Sequence, residues 1–271
     1  MKTVAKIGFI GAGKMAEALI ARLGSSQSII ASDVNKKRLS YLRQKYKIKA
    51  AKDNLEVFSS AKIVILAVKP RDISAVVAEL KRKKKTGNRE QLVISIAAGI
   101  PLNYLAKKLP GVPIVRAMPN NPCLVGMGMT ALAKGKKVSR ALYKKAETIF
   151  RRVGEVLEVP EKWLDAVTGL SGSGPAFVYQ AIEALTAGGI KSGLPKNVAA
   201  RLALQTVLGA AATVKETGKN PKELRAMVTS PGGTTIEGLA VLKKMKFDQA
   251  LAGAVLAAAK KSRVLSKKWT S

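Results

Sequence analysis

Histidine is absent from this 271-residue chain, and cysteine occurs once, at Cys123. Without histidine there is no Ser-His-Asp or Cys-His triad and no imidazole acid or base; with one cysteine an ordinary structural zinc site is excluded too. A single thiol also permits no internal disulfide framework, which fits a reducing cytoplasm, and Cys123 reads as a packing residue. Aromatics make up only 4% of the residues, too few for base-stacking platforms. No apolar run of about 18 residues exists, so no membrane-spanning helix is expected. The first residues enter a strand pattern at once (Val4, Ile7, Phe9, Ile10), leaving no room for a signal peptide and pointing to a cytoplasmic protein. Acids are scarce as well: 17 Asp plus Glu stand against 48 Lys plus Arg, a formal net charge of +31. Such a field attracts anions, yet its charges are scattered. The densest run, Lys81-Arg82-Lys83-Lys84-Lys85 before Thr86-Gly87-Asn88, reads as a solvated surface, so neither a specific nucleic acid nor a membrane is expected as partner.

What is present is a globular pattern, 47% apolar. Buried runs at 4–10, 28–32, 62–68, 91–96 and 112–116, with a short one at 48–50, alternate with helical patterns at 16–23, 35–46, 71–84 and after Pro101. Strands alternating with helices predict right-handed crossovers and a mostly parallel, doubly wound α/β sheet. A strand at 128–133, a helix over 138–152 and a last strand at 154–159 complete that half. Beyond residue 160 apolar residues fall only at helical spacing: 161–170, 174–192, 195–217, 221–228, 234–245 and 247–268. The expected organisation is a Rossmann domain over 1–160 and an all-α domain over 161–271, whose apolar faces point to dimerisation.

Two glycine motifs carry the chemistry. Gly11-Ala12-Gly13-Lys14-Met15-Ala16 follows a strand and opens a helix, the context in which G-x-G-x-x-A binds a dinucleotide. Gly11 permits the turn, Gly13 lets a pyrophosphate approach the backbone, and Ala16 lets helix and strand pack closely. The second strand ends at Asp33, where a carboxylate hydrogen-bonds the adenosine ribose and argues for NAD(H). Lys36, Lys37 and Arg38 follow within one turn and could instead grip a 2′-phosphate, so both nicotinamides stay open. Far downstream, Ser230-Pro231-Gly232-Gly233-Thr234-Thr235 makes a tight turn into a helix. Bare amides and hydroxyls at such a start suit a small carboxylate.

These motifs, with Leu66-Ala67-Val68-Lys69-Pro70, Ser95-Ile96-Ala97-Ala98-Gly99, Arg116-Ala117-Met118-Pro119-Asn120-Asn121-Pro122 and Ala166-Val167-Thr168-Gly169-Leu170-Ser171-Gly172-Ser173-Gly174-Pro175-Ala176, resemble pyrroline-5-carboxylate reductase over essentially the full length. The resemblance implies NAD(P)H-dependent reduction of 1-pyrroline-5-carboxylate to L-proline, in the last step of proline biosynthesis. It also implies a homodimer through the helical domain, often assembled further into a decamer. Carried over, Ile10, Gly11, Ala12, Gly13, Lys14 and Met15 line the pyrophosphate, while Asp33 and Asn54 read the adenosine ribose and any 2′-phosphate. Val68, Lys69, Pro70, Ala97 and Ala98 wall the nicotinamide ribose, and Ser230, Gly232, Gly233, Thr234 and Thr235 take the substrate. Two features depart from the pattern: an acid at Asp33 in place of a small polar residue, and the +31 charge without histidine.

Reducing a cyclic imine needs a hydrogen-bonding group at the ring nitrogen, and a hydroxyl serves; Thr235 is the expected catalytic residue, with no metal involved. A rival reading is a β-hydroxyacid-dehydrogenase relative, which needs a lysine in a Gly-x-x-x-Lys pattern; Gly172-Ser173-Gly174-Pro175-Ala176 has none. A second rival is a non-catalytic nucleotide- or nucleic-acid-binding Rossmann protein.

Overall fold

The computed structural model describes residues 5–24, 28–81 and 91–269. The basic run from Arg82 and the Thr86-Gly87-Asn88 loop lie outside the described residues. Among those described, eight strands form one sheet: β1 (Ala5–Ile10), β2 (Ile29–Ser32), β3 (Lys49–Ala50), β4 (Ala61–Leu66), β5 (Leu92–Ser95), β6 (Ile114–Met118), β7 (Gly128–Lys134) and β8 (Gly154–Glu158). Their spatial order is β3-β2-β1-β4-β5-β6-β7-β8, and every neighbouring pair is parallel except β6 with β7. The chain winds outward from β1 through β2 to β3, then returns to lay β4 on the other side of β1. That reversal opens a crevice beyond the carboxyl ends of β1 and β4, where open α/β sheets take their ligands.

The helices over this sheet are α1 (Lys14–Leu23), α2 (Lys36–Tyr46), α3 (Asn54–Ser60), α4 (Ile73–Lys81), α5 (Leu102–Lys108) and α6 (Arg140–Arg151). Strand side chains alternate between two cores, as the two-residue pleat requires. Val64, Leu66 and Val93 pack on one face with Val57, Ile73 and Leu105, whereas Phe9, Ile65 and Ile94 pack on the other with Leu19, Leu42 and Phe150. Helices on both faces explain why the strands read as unbroken apolar runs.

Helix α3 is the element the apolar spacing did not predict. Asp53 caps it, accepting from the Glu56 amide at 2.7 Å, so an Asp-x-x-Glu start was present in the sequence. The segment expected as one helix over 161–170 is a 3₁₀ turn (Glu161–Trp163), then α7 (Leu164–Val167), then a π-helical turn (Thr168–Gly172). Its wide turn closes through the Ser173 amide on the Thr168 carbonyl, at 2.9 Å. A Cβ at Gly172 would come within 2.6 Å of the Met118 side chain. Two glycines and that close approach account for the wider helix.

By packing, Met1–Ser173 together with Ala257–Ser271 form one compact unit and Gly174–Leu256 another. In the first unit Glu161 accepts from the buried Arg116 guanidinium at 3.2 Å and from the Leu102 amide at 2.6 Å, setting a carboxylate at the start of α5. Asp165 accepts from Ser262 and Ser266, and Trp269 stacks edge-on against Tyr104. The second unit holds α8 (Gly174–Lys191), α9 (Lys196–Thr217), α10 (Pro221–Met227), α11 (Thr234–Lys244) and the first part of α12 (Phe247–Lys267). In it α8 and α9 meet where Gly189 faces Ala199, and a Cβ at Gly189 would stand 3.1 Å from the alanine methyl. Large apolar side chains on its helices stay open in the single chain, among them Leu185, Leu202, Leu208 and Val241.

Candidate functional site

At the end of β1 the backbone turns sharply into α1. Gly11 sits at φ +100°, and a Cβ there would meet the Ala67 carbonyl oxygen at 2.6 Å, so this position requires glycine. The turn is stitched to its neighbours: the Gly11 amide donates to the Ser32 carbonyl and the Ala67 amide to the Ile10 carbonyl. Gly13 is different. Its backbone is extended, and a Cβ built on it meets nothing within 4 Å. It is the N-cap of α1, and no side chain caps the helix. The first-turn amides therefore open onto free space, the cradle a pyrophosphate needs. Ile10 and Ala12 are fully buried and Met15 half-buried, whereas Gly13 and Lys14 are exposed. Any contact from Ile10 or Ala12 to a ligand is through the backbone.

Ala12 is also the hub of a polar cluster. Its amide donates to Asp33 Oδ2 at 2.6 Å, and its carbonyl accepts from Arg38 Nε at 2.8 Å. The same Arg38 reaches Glu17 at 2.5 Å, and the Tyr46 and Tyr41 hydroxyls donate to the other Glu17 oxygen at 3.0 and 3.1 Å. Burial alone would push the Glu17 carboxyl up; the Arg38 guanidinium and the two phenols outweigh it and hold the group down at about 2. In the unfolded chain the ordinary value is 4.5. The folded state therefore gains stability that is complete above the unfolded value and is lost as pH falls toward about 2. Glu17→Gln should cost about 3 kcal/mol at neutral pH, the low end for breaking a buried pair because Arg38 keeps some contact with water. It should also flatten the loss of stability between pH 4.5 and 2. Urea melts of both proteins across that range check this; parallel pH profiles would remove Glu17 from the account.

The other residues expected at the cofactor stand at or beside the carboxyl ends of β2, β4 and β5. Asn54 opens α3, accepting from the Ser32 hydroxyl at 2.7 Å and donating to Glu79 at 2.7 Å. Ala67 and Val68 follow β4, and Lys69 caps the short 3₁₀ turn begun by Pro70. After β5 the chain reaches Ala97, which is buried, and Ala98, which is half-buried. Cys123 is buried in a 3₁₀ turn, and burial pushes its thiol up, so it is an inert packing residue. Among the described residues no cluster of three His, Cys, Asp or Glu could hold a metal. Glu17, Ser32 and Glu79 are the members the motif reading did not name.

In the second unit, the 230–233 bend brings the Gly233 amide to the Ser230 carbonyl at 3.1 Å. Gly232 lies at φ +69° and Gly233 is the N-cap of α11; a Cβ at Gly233 would strike the Ser230 hydroxyl at 2.6 Å. No side chain caps α11, and Thr234 and Thr235, its first two residues, are exposed. By contrast α2, α3, α6 and α10 are closed by Asn35, Asp53, Ser139 and Asn220. Among the described residues, α1 and α11 are the helices whose N-cap is a glycine. Both leave first-turn amides free for an anion.

Comparison with known proteins matches the same two regions. Residues 161–265 match the family described as pyrroline-5-carboxylate reductase dimerisation, and residues 6–99 match NADP oxidoreductase coenzyme F420-dependent. The chain is 47% identical to a pyrroline-5-carboxylate reductase of Synechocystis, covering 97% of this chain and 99% of that one. It is 45% identical to one of Methanosarcina acetivorans, over 97% and 98% of the two chains. Among solved structures, the pyrroline-5-carboxylate reductase of Coxiella burnetii superimposes with a TM-score of 0.88 at 36% identity, over 97% of this chain and 99% of that one. A pyrroline carboxylate reductase of Plasmodium falciparum, solved with NADP bound, gives 0.87 at 32% identity over 97% and 99%.

Proposed function

The chain belongs to the pyrroline-5-carboxylate reductase family, and from that premise we propose how its own residues reduce 1-pyrroline-5-carboxylate to L-proline with NADPH or NADH. The observation that carries this reading is the pair of glycine-capped helices, one at the dinucleotide turn and one at the Ser-Pro-Gly-Gly bend. The amides of Gly13, Lys14 and Met15 hold the pyrophosphate, with Ile10, Gly11 and Ala12 fixing the turn that presents them. Asp33 and Asn54 meet the adenosine ribose. Val68, Lys69, Pro70, Ala97 and Ala98 wall the nicotinamide end. The reduced nicotinamide, when bound, supplies the hydride.

The substrate is a small carboxylate with a ring C=N bond. The amides of Gly232, Gly233 and Thr234, with the Ser230 hydroxyl beside them, bind its carboxylate at the uncapped start of α11. Thr235 hydrogen-bonds the ring nitrogen and keeps its proton in place. Hydride adds to the imine carbon, the π pair of C=N moves onto the protonated nitrogen, and the product is the secondary amine. Thr235 does not have to lose or gain a proton, which suits a hydroxyl at neutral pH in a chain without histidine.

The dinucleotide domain is assigned to 1–160 and the substrate and dimerisation domain to 161–271. The open apolar side chains of α8, α9 and α11 support a homodimer through those helices, and the family habit extends it to a decamer. Among the described residues no helix is long and apolar enough to cross a membrane. From its lone cysteine and its family's biosynthetic role, the protein is assigned to the cytoplasm, with no specific nucleic acid and no membrane as partner. The test is NADH and NADPH oxidation with pyrroline-5-carboxylate, then with its six-membered homologue. Proline should appear in step with the nucleotide consumed. Absence of oxidation with both nucleotides and both rings would refute the reaction.

A further inference from the structure

The dinucleotide reading of the Gly11–Met15 turn leaves the choice of nicotinamide open, and the groups around the ribose position decide it. We propose that this chain binds NADH in preference to NADPH and that Asp33 sets the choice. This inference rests on that reading of the turn. Asp33 stands directly after β2, and both of its oxygens are oriented by backbone amides: Oδ2 by Ala12 at 2.6 Å and Oδ1 by Asn35 at 2.7 Å. A carboxylate has about four acceptor positions, so two bonds leave room for the paired hydroxyls of a ribose. The amides pin the group against the glycine turn, and it cannot swing away to admit a second anion without losing both bonds.

A 2′-phosphate carries about −1.5 to −2 charges at neutral pH, as phosphate monoesters do, and it needs donors that are free. Those nearest in the fold already have partners that hold them in place. The Ala12 amide is taken by Asp33 itself. The first turn of α2, otherwise a natural phosphate seat, is closed by Asn35, whose side chain accepts from the Arg38 amide at 3.0 Å. The Arg38 guanidinium is anchored to the Ala12 carbonyl and to Glu17 and lies over the Tyr41 ring, 5.1 Å from its centre. Asn54 has its amide oxygen on Ser32 and its nitrogen on Glu79, another carboxylate. Lys36 and Lys37 are exposed, but each would bring its charge to a phosphate already facing Asp33. A ribose diol completes this arrangement, and a phosphate disrupts it.

The test is direct titration of the purified full-length protein with NADH and with NADPH, followed by calorimetry, for the parent, Asp33→Ser and Asp33→Asn. The parent should bind NADH at least about tenfold more tightly, since like charges in contact cost several kcal/mol and each tenfold is about 1.4 kcal/mol. Both variants should erase or reverse that ratio, mainly by gaining NADPH affinity. Parent affinity for NADPH equal to or above that for NADH would overturn the preference, and needs no variant to fold. A ratio unchanged in well-folded Asp33→Ser or Asp33→Asn would take the choice away from Asp33. If neither nucleotide binds, the dinucleotide reading itself falls, and this inference with it.

Discussion

Gly13→Asp should fold as stably as the parent and lose its dinucleotide. The backbone at Gly13 is extended, with φ −67° and ψ −176°, which any residue adopts, and its Cβ position is empty. Aspartate is among the best N-caps, so replacing glycine there should leave stability unchanged or raise it by a few tenths of a kcal/mol. The new carboxylate would satisfy the first-turn amides of α1 and stand where the pyrophosphate must approach. Nucleotide affinity should fall at least about 100-fold, from lost donors and added repulsion together. Gly11→Ala supplies the opposite case. With φ +100° and the Ala67 carbonyl 2.6 Å from the new methyl, it should lose about 1–2 kcal/mol or more of stability as well as binding. Thermal melts and nucleotide titrations of the two variants separate the effects. Parent-like affinity in a folded Gly13→Asp would mean that no phosphate uses this turn.

The contrast between Gly11 and Gly13 marks what a sequence can and cannot convey. That both are glycines in a G-x-G-x-x-A context placed the turn between β1 and α1, because the requirement is local: a sharp backbone reversal followed by bare amides. The same holds for Gly232 and Gly233 before α11. The strands were legible for a related reason, since helices on both faces demand unbroken apolar runs such as Ile63-Val64-Ile65-Leu66. Helix α3 was missed because its seven residues give too few turns for a period, although the Asp53 cap was visible. Arg38 was read as one of three basic residues that could grip a 2′-phosphate. Its partner Glu17 lies 21 positions earlier, among the apolar residues of α1, and nothing local announces that the two meet. The π-helical turn at 168–172 was likewise hidden: it depends on Gly172 passing Met118, a contact between segments far apart in the chain. The proposed cofactor choice rests on this second kind of information: in the sequence Asp33 and the 36–38 bases argue against each other, and only the bonds of Arg38 and Asn35 weigh between them.

Thr235→Ala should reduce turnover about 100-fold while leaving nucleotide affinity as in the parent. The size follows from the loss of one positioned hydrogen bond that strengthens in the transition state, which costs roughly 10²–10³ in kcat. Folding offers no alternative account of such a loss. Thr235 is exposed on the first turn of α11, no side chain caps that helix, and alanine is the better helix former, so stability should move by less than about 0.5 kcal/mol. A hydroxyl that only ordered the helix start would change kcat little. One that only helped seat the carboxylate would raise KM and spare kcat. The expected loss is in kcat, because the hydrogen bond to the ring nitrogen matters most as C=N gives up its π pair. Thr235→Ser restores the hydroxyl without the methyl and should recover most of the rate, whereas Thr235→Val keeps the shape and should not. Steady-state kinetics on the three variants, with nucleotide titration beside them, separates these cases. If Thr235→Val turned over like Thr235→Ser, the hydroxyl would have no part in the reaction.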